Sequence, residues 1–503
     1  MLKKLNKQKD FFDSYMYEHL LPSSHVLLDI LEVIDFSFVD KCTNGFYSDK
    51  MGRPGFHPQV MFKLLFLEFL YNMSDYEIAE QIRTNILFRY FAGLGIPDET
   101  PDHATLSMFR RRLGEERFKE LFDNIVLQAR KKKLLKGRLK ILDSTHIQAN
   151  ASIRGAVNLL RHGRKRVLKR ILKLNSQMAH NLEKKYLNEE KLHNLPSKDE
   201  IIRELELTGE FIKKVKDRFD DEVIGELIDL LETALGQQAR KAEDPKYKQP
   251  DEIVNISDPD ARNGFKSRTK RFTGYKGEIA MDEGSNIVTS ARTIQGNKNE
   301  GEKNLFKEML KDDKSKGIKH QAVAADSLYD SYENRKAVHK QKMRAFIPRS
   351  KKGNIKNSKL DNFIYDEKNN TLICPQGHSP NYRSRQENRD FFIFPAKFCS
   401  MCPTRKDCPK LNNGRVRINV SDNYKLSLLD NVPEKKEAFV KRKEIERKFA
   451  EGKLWHGLRR ARYRRRWRVA IQTFMTFIVI NVKRMVKLLL GRREKTLLAA
   501  GFG

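Results

Sequence analysis

The sequence has few cysteines, a deficit of acidic residues and no long apolar run. Cysteine occurs 5 times in 503 residues, which is too rare for the disulfide scaffold of a small secreted domain. The N-terminal stretch MLKKLNKQKDFFDSY carries cations but no apolar core of signal-peptide length, so we expect no export. The most apolar stretch, Val469 to Val482, spans 14 residues, which is too short to cross a bilayer and is typical of a buried helix. These absences argue against secreted and membrane-spanning proteins and predict a reducing cytoplasmic location associated with the nucleoid.

The deficit of acids leaves a large positive charge. Lysine and arginine total 99 against 66 aspartates and glutamates, a formal charge of +33. Such an excess favours a polyanionic partner, because neutralising phosphates releases their counterions and provides salt-sensitive binding. Nucleic acid is the first candidate, and an anionic membrane surface is disfavoured because the chain has no anchor. The length allows about two to four domains with a sizeable core.

The N-terminal region carries helix signals followed by an arginine cluster. The apolar run from Pro58 to Tyr71 has proline in its first turn and predicts a buried helix. Ser74 and Glu77 have the spacing of a capping box at the start of a second helix. A third helix then presents three consecutive arginines, Arg110, Arg111 and Arg112. Several short helices with such a cluster suit a helix-turn-helix DNA-binding module, and a plain helical bundle with solvated arginines is the alternative.

Two acidic residues end predicted buried strands. The run LKILD predicts a short strand that ends at Asp143, and HQAVAAD predicts another that ends at Asp326. Between them, two β-rich runs flank a turn containing Gly284 and predict a hairpin. A helix and the strand MRAFIP complete a mixed α/β sheet. Asp143 and Asp326 are therefore both expected just beyond strand ends.

A charged helical segment separates the first strand from the hairpin. It extends from Gly155 to Gln249 and is interrupted by Pro196, after which Ser197 and Glu200 form a plausible capping box. The segment is typical of an inserted helical arm. Clamping DNA, pairing subunits and stabilising the fold remain alternative roles for it.

Four of the five cysteines occur in two short groups near residue 400, namely Cys374, Cys399, Cys402 and Cys408. Thiolates in two such groups can form a tetrahedral structural zinc site, with His378 as a reserve ligand. Free buried thiols and disulfides are the alternatives. The fifth cysteine, Cys42, is expected in the core.

The stretch from Glu434 to Arg468 is intensely basic. The aromatic residues Tyr463 and Trp467 lie among its arginines, which adds stacking and cation-π capacity to the positive charge. We expect this segment to contact a DNA backbone. The arginines proposed for that contact are Arg459, Arg460, Arg462, Arg464 and Arg465.

One acid in this basic stretch lies between cations. In a single helix of about 100° per residue, Phe439, Arg442, Glu446 and Lys453 would share an arc of roughly 60°. Gly452 costs a helix about 1 kcal/mol relative to alanine. We therefore expect the helix to end or bend there, which would move Lys453 off the shared face. A solvated charged helix is the alternative interpretation of this stretch on its own.

Three carboxylates thus have comparable positions at the ends or faces of predicted core elements, namely Asp143, Asp326 and Glu446. Grouping three acids is electrostatically costly unless cations neutralise them, so such clusters usually bind divalent metals. Carboxylate oxygens suit Mg²⁺ or Mn²⁺. Two such ions can activate an attacking oxygen and stabilise a leaving one at a phosphodiester.

These motifs resemble those of the DDE transposases of bacterial insertion sequences, in the group with a Tyr-x2-Arg-x3-Glu-x6-Lys signature. Here the signature is Phe439-x2-Arg442-x3-Glu446-x6-Lys453, with phenylalanine in place of tyrosine. The segments LKILDSTHIQANAS, VAADSLYDSYEN, GRPGFHPQVMFKLL and PDHATLSMFRRRL resemble the same group, in the expected order. The resemblance extends from about Gly52 to the C-terminus.

The resemblance implies an RNase H-like catalytic core in which Asp143, Asp326 and Glu446 bind two Mg²⁺ or Mn²⁺ ions. It also implies that Arg442 and Lys453 contact DNA near the cleaved phosphate, together with Phe439, whose ring can stack but lacks the usual hydroxyl. The implied organisation is a helical DNA-end-binding domain (1–135), a first core segment (136–150), a charged helical insertion (151–255), the continued core (256–350), an insertion with a zinc knuckle (351–430) and C-terminal core helices (431–503).

The function that the resemblance implies is transposition. The enzyme would bind the double-stranded ends of its mobile element, hydrolyse a strand and join the freed 3′-OH to target DNA, as a homodimer in the synaptic complex. An RNase H-like nuclease that cuts without joining and a transposase-derived DNA-binding protein without catalysis are the alternatives. The presence of all three acids argues against the latter.

Overall fold

The structure is a computed structural model of the 503-residue chain. It describes residues 11–47, 54–187, 196–244, 246–247, 249, 251–266, 269–297, 299–350, 360–408, 411–412 and 415–499. The beginning of the N-terminal stretch examined for an export signal and the first two residues of the GRPGFHPQVMFKLL segment lie outside these ranges.

The N-terminal region is helical, as its sequence predicts. Its helices are α1 (Phe11–Leu20), α2 (Val26–Val33), α3 (Phe38–Thr43), α4 (Pro58–Leu70), α5 (Asp75–Thr84), α6 (Ile86–Ala92) and α7 (His103–Lys131). Pro58 occupies the first turn of α4, and the Ser74–Glu77 capping box at α5 is confirmed. Helix α7 kinks at Gly114, whose φ of 67° lies in the left-handed region that glycine tolerates.

A mixed sheet forms the centre of the molecule. Its strands are β1 (Leu139–Gln148), β2 (Arg262–Phe265), β3 (Arg271–Asp282), β4 (Ile287–Gln295), β5 (Ala322–Ala324) and β6 (Arg344–Phe346). The order is β4-β3-β1-β5-β6, with β2 paired to the start of β3. Strand β3 is antiparallel to β1 and β4, while β5 is parallel to β1 and β6. This arrangement is consistent with an RNase H-like core.

The two faces of the sheet are covered by different helices. Residues alternate between the faces, so Ile141 packs with the N-terminal helices and α18 (Arg466–Ala499), while its neighbour Leu142 packs on the other side. That other side is covered by α12 (Asn299–Ser315) and α13 (Tyr332–His339). The predicted hairpin is present as β3 and β4, with its turn at Gly284 (φ 82°).

Strand β1 does not end at Asp143, which corrects the prediction. It continues to Gln148, because β3 pairs with it from Lys140 to Gln148 and satisfies the backbone hydrogen-bonding groups on that edge. Only the parallel pairing with β5 stops early, at Ile141. Asp143 therefore lies beyond the parallel ladder but inside the antiparallel one.

The helical insertion forms a separate core of its own. It contains α8 (Ala156–Ile171), α9 (Ser176–Tyr186), α10 (Lys198–Val215) and α11 (Glu222–Glu243). The predicted capping box of Ser197 and Glu200 begins α10.

The cysteine-containing region is a small β-rich unit with a further apolar cluster. Its elements are β7 (Ile364–Asp366), β8 (Thr371–Ile373), β9 (Tyr382–Gln386), β10 (Arg389–Phe394), α14 (Ala396–Ser400), β11 (Leu411–Asn412), β12 (Arg415–Ser421) and α15 (Asp422–Leu429).

The signature stretch forms two helices, α16 (Glu434–Arg442) and α17 (Glu444–Trp455), where one helix was expected. The break is at Lys443, and it follows tertiary packing, because α16 contacts β1, β5 and β6 whereas α17 contacts β1 and α18. The predicted end or bend at Gly452 is wrong. Helix α17 passes through this buried glycine, where a Cβ would lie 3.2 Å from Leu458 Cδ2 and 3.3 Å from Thr476 Cγ2.

The apolar run from Val469 to Val482 is buried in α18, between the sheet and the N-terminal helices. Within the described part of the chain, no helix combines the length and apolar character needed to cross a membrane.

Candidate active site

Asp143 on β1 and Asp326 beyond the end of β5 lie at the same level of two neighbouring parallel strands, with β5 ending at Ala324, two residues before the predicted end. The last residue pair of the β1–β5 ladder is Ile141 with Ala324, and each acid follows its strand's member of that pair by two residues. Side chains two residues apart point to the same face of a strand. The ladder therefore directs both carboxylates to the face that α16, α17 and α18 cover.

Asp143 is held by two hydrogen bonds. The backbone N–H of Ser144 donates to Oδ1 at 2.8 Å, and Arg442 Nη1 donates to Oδ2 at 3.0 Å. Burial raises the pKa of Asp143 to about 6, against the lowering effects of the Ser144 N–H and the Arg442 guanidinium. The carboxylates of Asp326 and Glu446 contribute to this raised pKa. The three acids predicted to form a triad are thus electrostatically coupled.

The break at Lys443 positions the residues that α16 and α17 contribute. Arg442 is the last residue of α16, and Glu446 is an exposed residue in the first turn of α17. Phe439 is partly buried and packs against the main core, and its contact with DNA stays a prediction. Although the stretch forms two helices, Arg442 and Glu446 both lie beside Asp143.

The donor set suits a hard divalent cation, because the carboxylates of Asp326, two residues beyond β5, and of Glu446 in α17 lie near that of Asp143 in β1. As the side chains stand, no group of three or more His, Cys, Asp or Glu among the described residues is arranged to hold a metal ion. Arg442 instead supplies the positive charge next to Asp143.

Lys453 lies in a second, cationic part of the site. Burial, together with the nearby Lys266 and Arg459, lowers the pKa of Lys453 to about 8. His146, three residues after Asp143 on β1, has its pKa lowered to about 4 by burial and by Lys453 and Lys266. Sequence reasoning missed His146 and Lys266, although His146 is part of the quoted LKILDSTHIQANAS segment.

The predicted DNA-contacting arginines of α7 differ in exposure. Arg110 is buried, where it pairs with Asp75 and with Glu68 Oε2 at 3.3 Å, and its guanidinium lies 4.8 Å from the centre of the Tyr463 ring. Buried and paired, Arg110 is not placed to contact DNA, which corrects the prediction for this residue. Arg111 and Arg112 are exposed, and their contact with DNA stays a prediction.

The basic segment before α18 is fixed along the end of β1. Gln148 bonds through its backbone to Arg459 and Ala461, and the backbone N–H of Arg465 donates to Asp258 Oδ1 at 2.8 Å. Arg462 turns inward and donates to Glu68 Oε1 at 2.9 Å. Three of the five predicted arginines have exposed side chains, namely Arg459, Arg460 and Arg464.

The four clustered cysteines line a single small cavity of about 30 Å³, with His378 at its wall. All four thiols are free, so the disulfide alternative is not realised. Burial raises the pKa of the Cys399 and Cys408 thiols, and the neighbouring thiols raise it further. The His378 ring stacks on Phe398 with 4.3 Å between centroids.

Two family models match the chain, one near each end. Residues 15–112 match the family described as "Transposase domain (DUF772)", and residues 373–486 match the family described as "Transposase DDE domain". The chain is thus similar to transposase domains over these two ranges. The second match contains Arg442, Glu446 and Lys453, whereas Asp143 and Asp326 lie between the matches. The insertion-sequence group and the bacterial origin stay predictions.

Among curated proteins, the chain is similar to the "Uncharacterized protein ORF8 in nfe locus" of Rhizobium meliloti. The identity is 30% over 97 residues, which is 19% of this chain and 46% of that protein. The chain therefore spans about half the length of this relative. No solved structure matches the chain.

Proposed function

We propose that the chain is a DDE transposase that cleaves DNA at the ends of its mobile element and joins the freed 3′-OH to target DNA. The observation that carries this proposal is the placement of Asp143 and Asp326 at one level of adjacent parallel strands, with Glu446 and Arg442 from the α16–α17 break beside them. The transposase domains matched at residues 15–112 and 373–486 support it.

Asp143, Asp326 and Glu446 would hold two Mg²⁺ or Mn²⁺ ions. When bound, such a pair of ions activates the attacking oxygen and stabilises the leaving oxygen of an in-line displacement at a phosphodiester. The three acids come from separate elements. Rotation of their side chains would bring the carboxylate oxygens together around the ions.

The remaining residues position the DNA. Arg442 compensates part of the carboxylate charge before DNA arrives and, by releasing Asp143, becomes available to a phosphate oxygen. A group of three cations would contact the DNA strand as it extends away from the three acids. These cations are Lys453, Lys266 and Arg459. Water is the nucleophile in the first step and the 3′-OH in the second, so no covalent protein–DNA intermediate is needed. Because two element ends must be cut together, the active species is proposed to be a homodimer.

A structural Zn²⁺ held by Cys374, Cys399, Cys402 and Cys408 is proposed as well. Four thiols around one small cavity have the number and type of ligands that a closed tetrahedral zinc site requires. The side chains would need to rotate inward, since zinc–sulfur bonds are about 2.3 Å long.

The function is tested with labelled duplexes that carry the inverted repeats flanking the coding region. The full-length protein is expected to nick these duplexes in Mg²⁺ and to join their 3′-OH ends to a plasmid. Asp143→Asn, Asp326→Asn and Glu446→Gln should each abolish both steps while duplex binding persists. Glu444→Gln is the matched control, because Glu444 lies about 200° around α17 from Glu446.

The outcomes separate the proposal from its alternatives. Cleavage without joining would support the nuclease. Duplex binding without cleavage in the presence of any divalent metal ion would support the non-catalytic DNA-binding protein. Normal cleavage by one of the three acid variants would remove that acid from the site.

A further inference from the structure

A strongly basic groove lies between the helical insertion and the segment before α18. Its volume is about 610 Å³. Cations from two distant parts of the sequence line it, namely Arg154, Arg161, Lys165, Arg166, Lys169 and Arg464. We call this feature the α8 groove, and Glu183 is the acidic residue at its wall.

The cations of α8 face the groove in a regular row. Arg161, Lys165 and Lys169 are spaced four residues apart, so they follow one another along one face of the helix at steps of about 6 Å. Lys165, Arg166 and Lys169 are exposed. The row therefore presents several charges to one elongated ligand instead of one charge to a small ion.

Cations on other faces of α8 form ion pairs within the protein. Arg164 is buried and pairs with Glu204, and Arg170 pairs with Asp221. In the described part of the chain, by contrast, no ion pair involves Lys165, Arg166 or Lys169. Arg161 is the exception in the groove row, because its Nε lies 3.1 Å from Glu204 Oε2, the acid that also pairs with Arg164. The positive charge left on the groove side of α8 is therefore that of Lys165, Arg166 and Lys169.

Two groups in the groove wall indicate that the positive potential is concentrated there. Arg154 Nε is buried without a hydrogen-bond partner. His162, which contacts Ser257 Oγ at 2.8 Å, has its pKa lowered to about 4 by burial and by Arg154, Arg166, Arg464 and Lys165. An anion in the groove would relieve both the unpaired donor and the mutual repulsion of the cations.

The groove is connected to the candidate active site through β1. The chain runs from Asp143 to Gln148 within β1, a distance of about 17 Å at about 3.4 Å per residue. Arg464 Nε then donates to the carbonyl of Asn150 at 3.2 Å, two residues further on. A duplex with its cleaved phosphate at Asp143 would reach the groove after roughly 20 Å, or about six base pairs.

We infer that the α8 groove binds the phosphate backbone of duplex DNA about six base pairs from the bond that is cleaved. This assigns the helical insertion to DNA clamping, among the alternatives of clamping, subunit pairing and stabilisation. The inference rests on the proposed function for the position of the duplex, but the binding itself is measurable without catalysis.

The test uses the full-length protein and a variant with Lys165→Ala, Lys169→Ala and Arg166→Ala. Its control carries Arg203→Ala, Lys213→Ala and Lys214→Ala in α10, three exposed cations away from the groove, so both lose the same charge. Duplex affinity is measured against salt concentration in EDTA. The groove variant should bind at least about tenfold more weakly near 0.1 M salt, with the slope of log K against log salt shallower by up to about three. In the control variant, both the affinity near 0.1 M salt and the salt slope should change by only a small fraction of the changes in the groove variant.

An unchanged salt slope in the groove variant, or equal losses in the two triple variants, would overturn the inference. If the triple variant does not fold, the single substitutions Lys165→Gln and Lys169→Gln at exposed positions replace it, each with an expected change in slope of about one. Hydroxyl-radical footprints should also lose protection about five to eight base pairs from the cleaved bond.

Failure of the proposed function is distinguishable from failure of the groove. If Asp143→Asn cleaves normally, the catalytic assignment fails while the difference in salt slope between the triple variants still holds. If cleavage requires all three acids but the two triple variants bind alike, only the groove is wrong.

Discussion

Arg442 and Asp143 lie 299 residues apart in the sequence, and Arg442 Nη1 donates to Asp143 Oδ2 at 3.0 Å. The contact joins the end of α16 to the middle of β1. It places a guanidinium where a divalent cation would be expected in the proposed mechanism, and it lowers the pKa of a carboxyl that burial raises to about 6. The charge state of Asp143 therefore depends on the position of Arg442.

Removing this guanidinium should weaken catalysis. Arg442→Gln is expected to lower the rate of strand cleavage by about a hundredfold or more, because a charged contact to the DNA phosphate is lost. The same change should weaken duplex binding only modestly. Arg447→Gln, an exposed arginine on α17, is the control. Equal activity of the two variants would show that Arg442 has only a structural role.

Lys453 should make duplex binding sensitive to pH. Burial and the cations Lys266 and Arg459 lower its pKa to about 8, so the free protein loses this positive charge as pH rises from 7 to 9. Duplex affinity of the wild type should therefore fall over that range, and Lys453→Arg should fall less because arginine stays charged. Lys436→Arg on the exposed side of α16 should follow the wild type. If duplex affinity fell with pH equally in all three proteins, Lys453 would not be the group responsible for the pH dependence.

Glu68 should oppose folding as pH rises. Burial raises its pKa to about 7 from an ordinary value of 4.5, so the folded state binds more protons than the unfolded state between these values. The free energy of unfolding should then fall from pH 4.5 to pH 7, by at most about 3 kcal/mol from this group. Glu68→Gln removes this dependence, although it also loses the ion pairs with Arg110 and Arg462.

The measurement for Glu68 is the pH dependence of thermal or urea unfolding. The quantity to compare is the slope between pH 4.5 and pH 7, since the absolute stability of Glu68→Gln also reflects its lost ion pairs. Glu80→Gln, an exposed acid of α5, should keep the wild-type slope. A Glu68→Gln slope equal to that of the wild type would mean that the carboxyl ionises normally.

Gly452 should be sensitive to a single added methyl group. Alanine is the better helix former by about 1 kcal/mol, yet a Cβ here would press on Leu458 and Thr476. Gly452→Ala is therefore expected to destabilise the protein by about 1 to 3 kcal/mol through overpacking. Gly236→Ala in α11, where nothing lies within 4 Å of the added atom, should be neutral or stabilising. Equal effects in thermal unfolding would disprove the close packing of α17 on α18.

The cysteine cavity should hold zinc. Purified protein is expected to contain about one zinc per chain by elemental analysis, and Cys402→Ser should lower the metal content and the unfolding temperature. Cys42→Ser serves as the control, because Cys42 is buried in the N-terminal core and lies far in sequence from the four clustered cysteines. Metal-free protein with wild-type stability would leave the four thiols as ordinary packing residues.

The sequence predicted local structure well where the signals were local. The capping boxes at Ser74 and Ser197, the hairpin around Gly284 and the buried run in α18 depend on neighbours a few residues apart. Predictions failed where packing between elements distant in sequence determines the local structure or the exposure of a side chain. The break at Lys443 has no glycine or proline to mark it, and the burial of Arg110 depends on acids in α4 and α5.

By itself, the sequence determined the mixed α/β class and the excess of positive charge, because these follow from periodicity and composition. Its resemblance to the transposases predicted the three acids. Only the tertiary structure decided which charges meet. The β1–β5 register places Asp143 level with Asp326, the α16–α17 break brings Arg442 to Asp143, and the fold separates arginines that ion pairs neutralise from those left to face solvent. Electrostatic interactions act over a few ångströms in space, and sequence spacing does not report that distance.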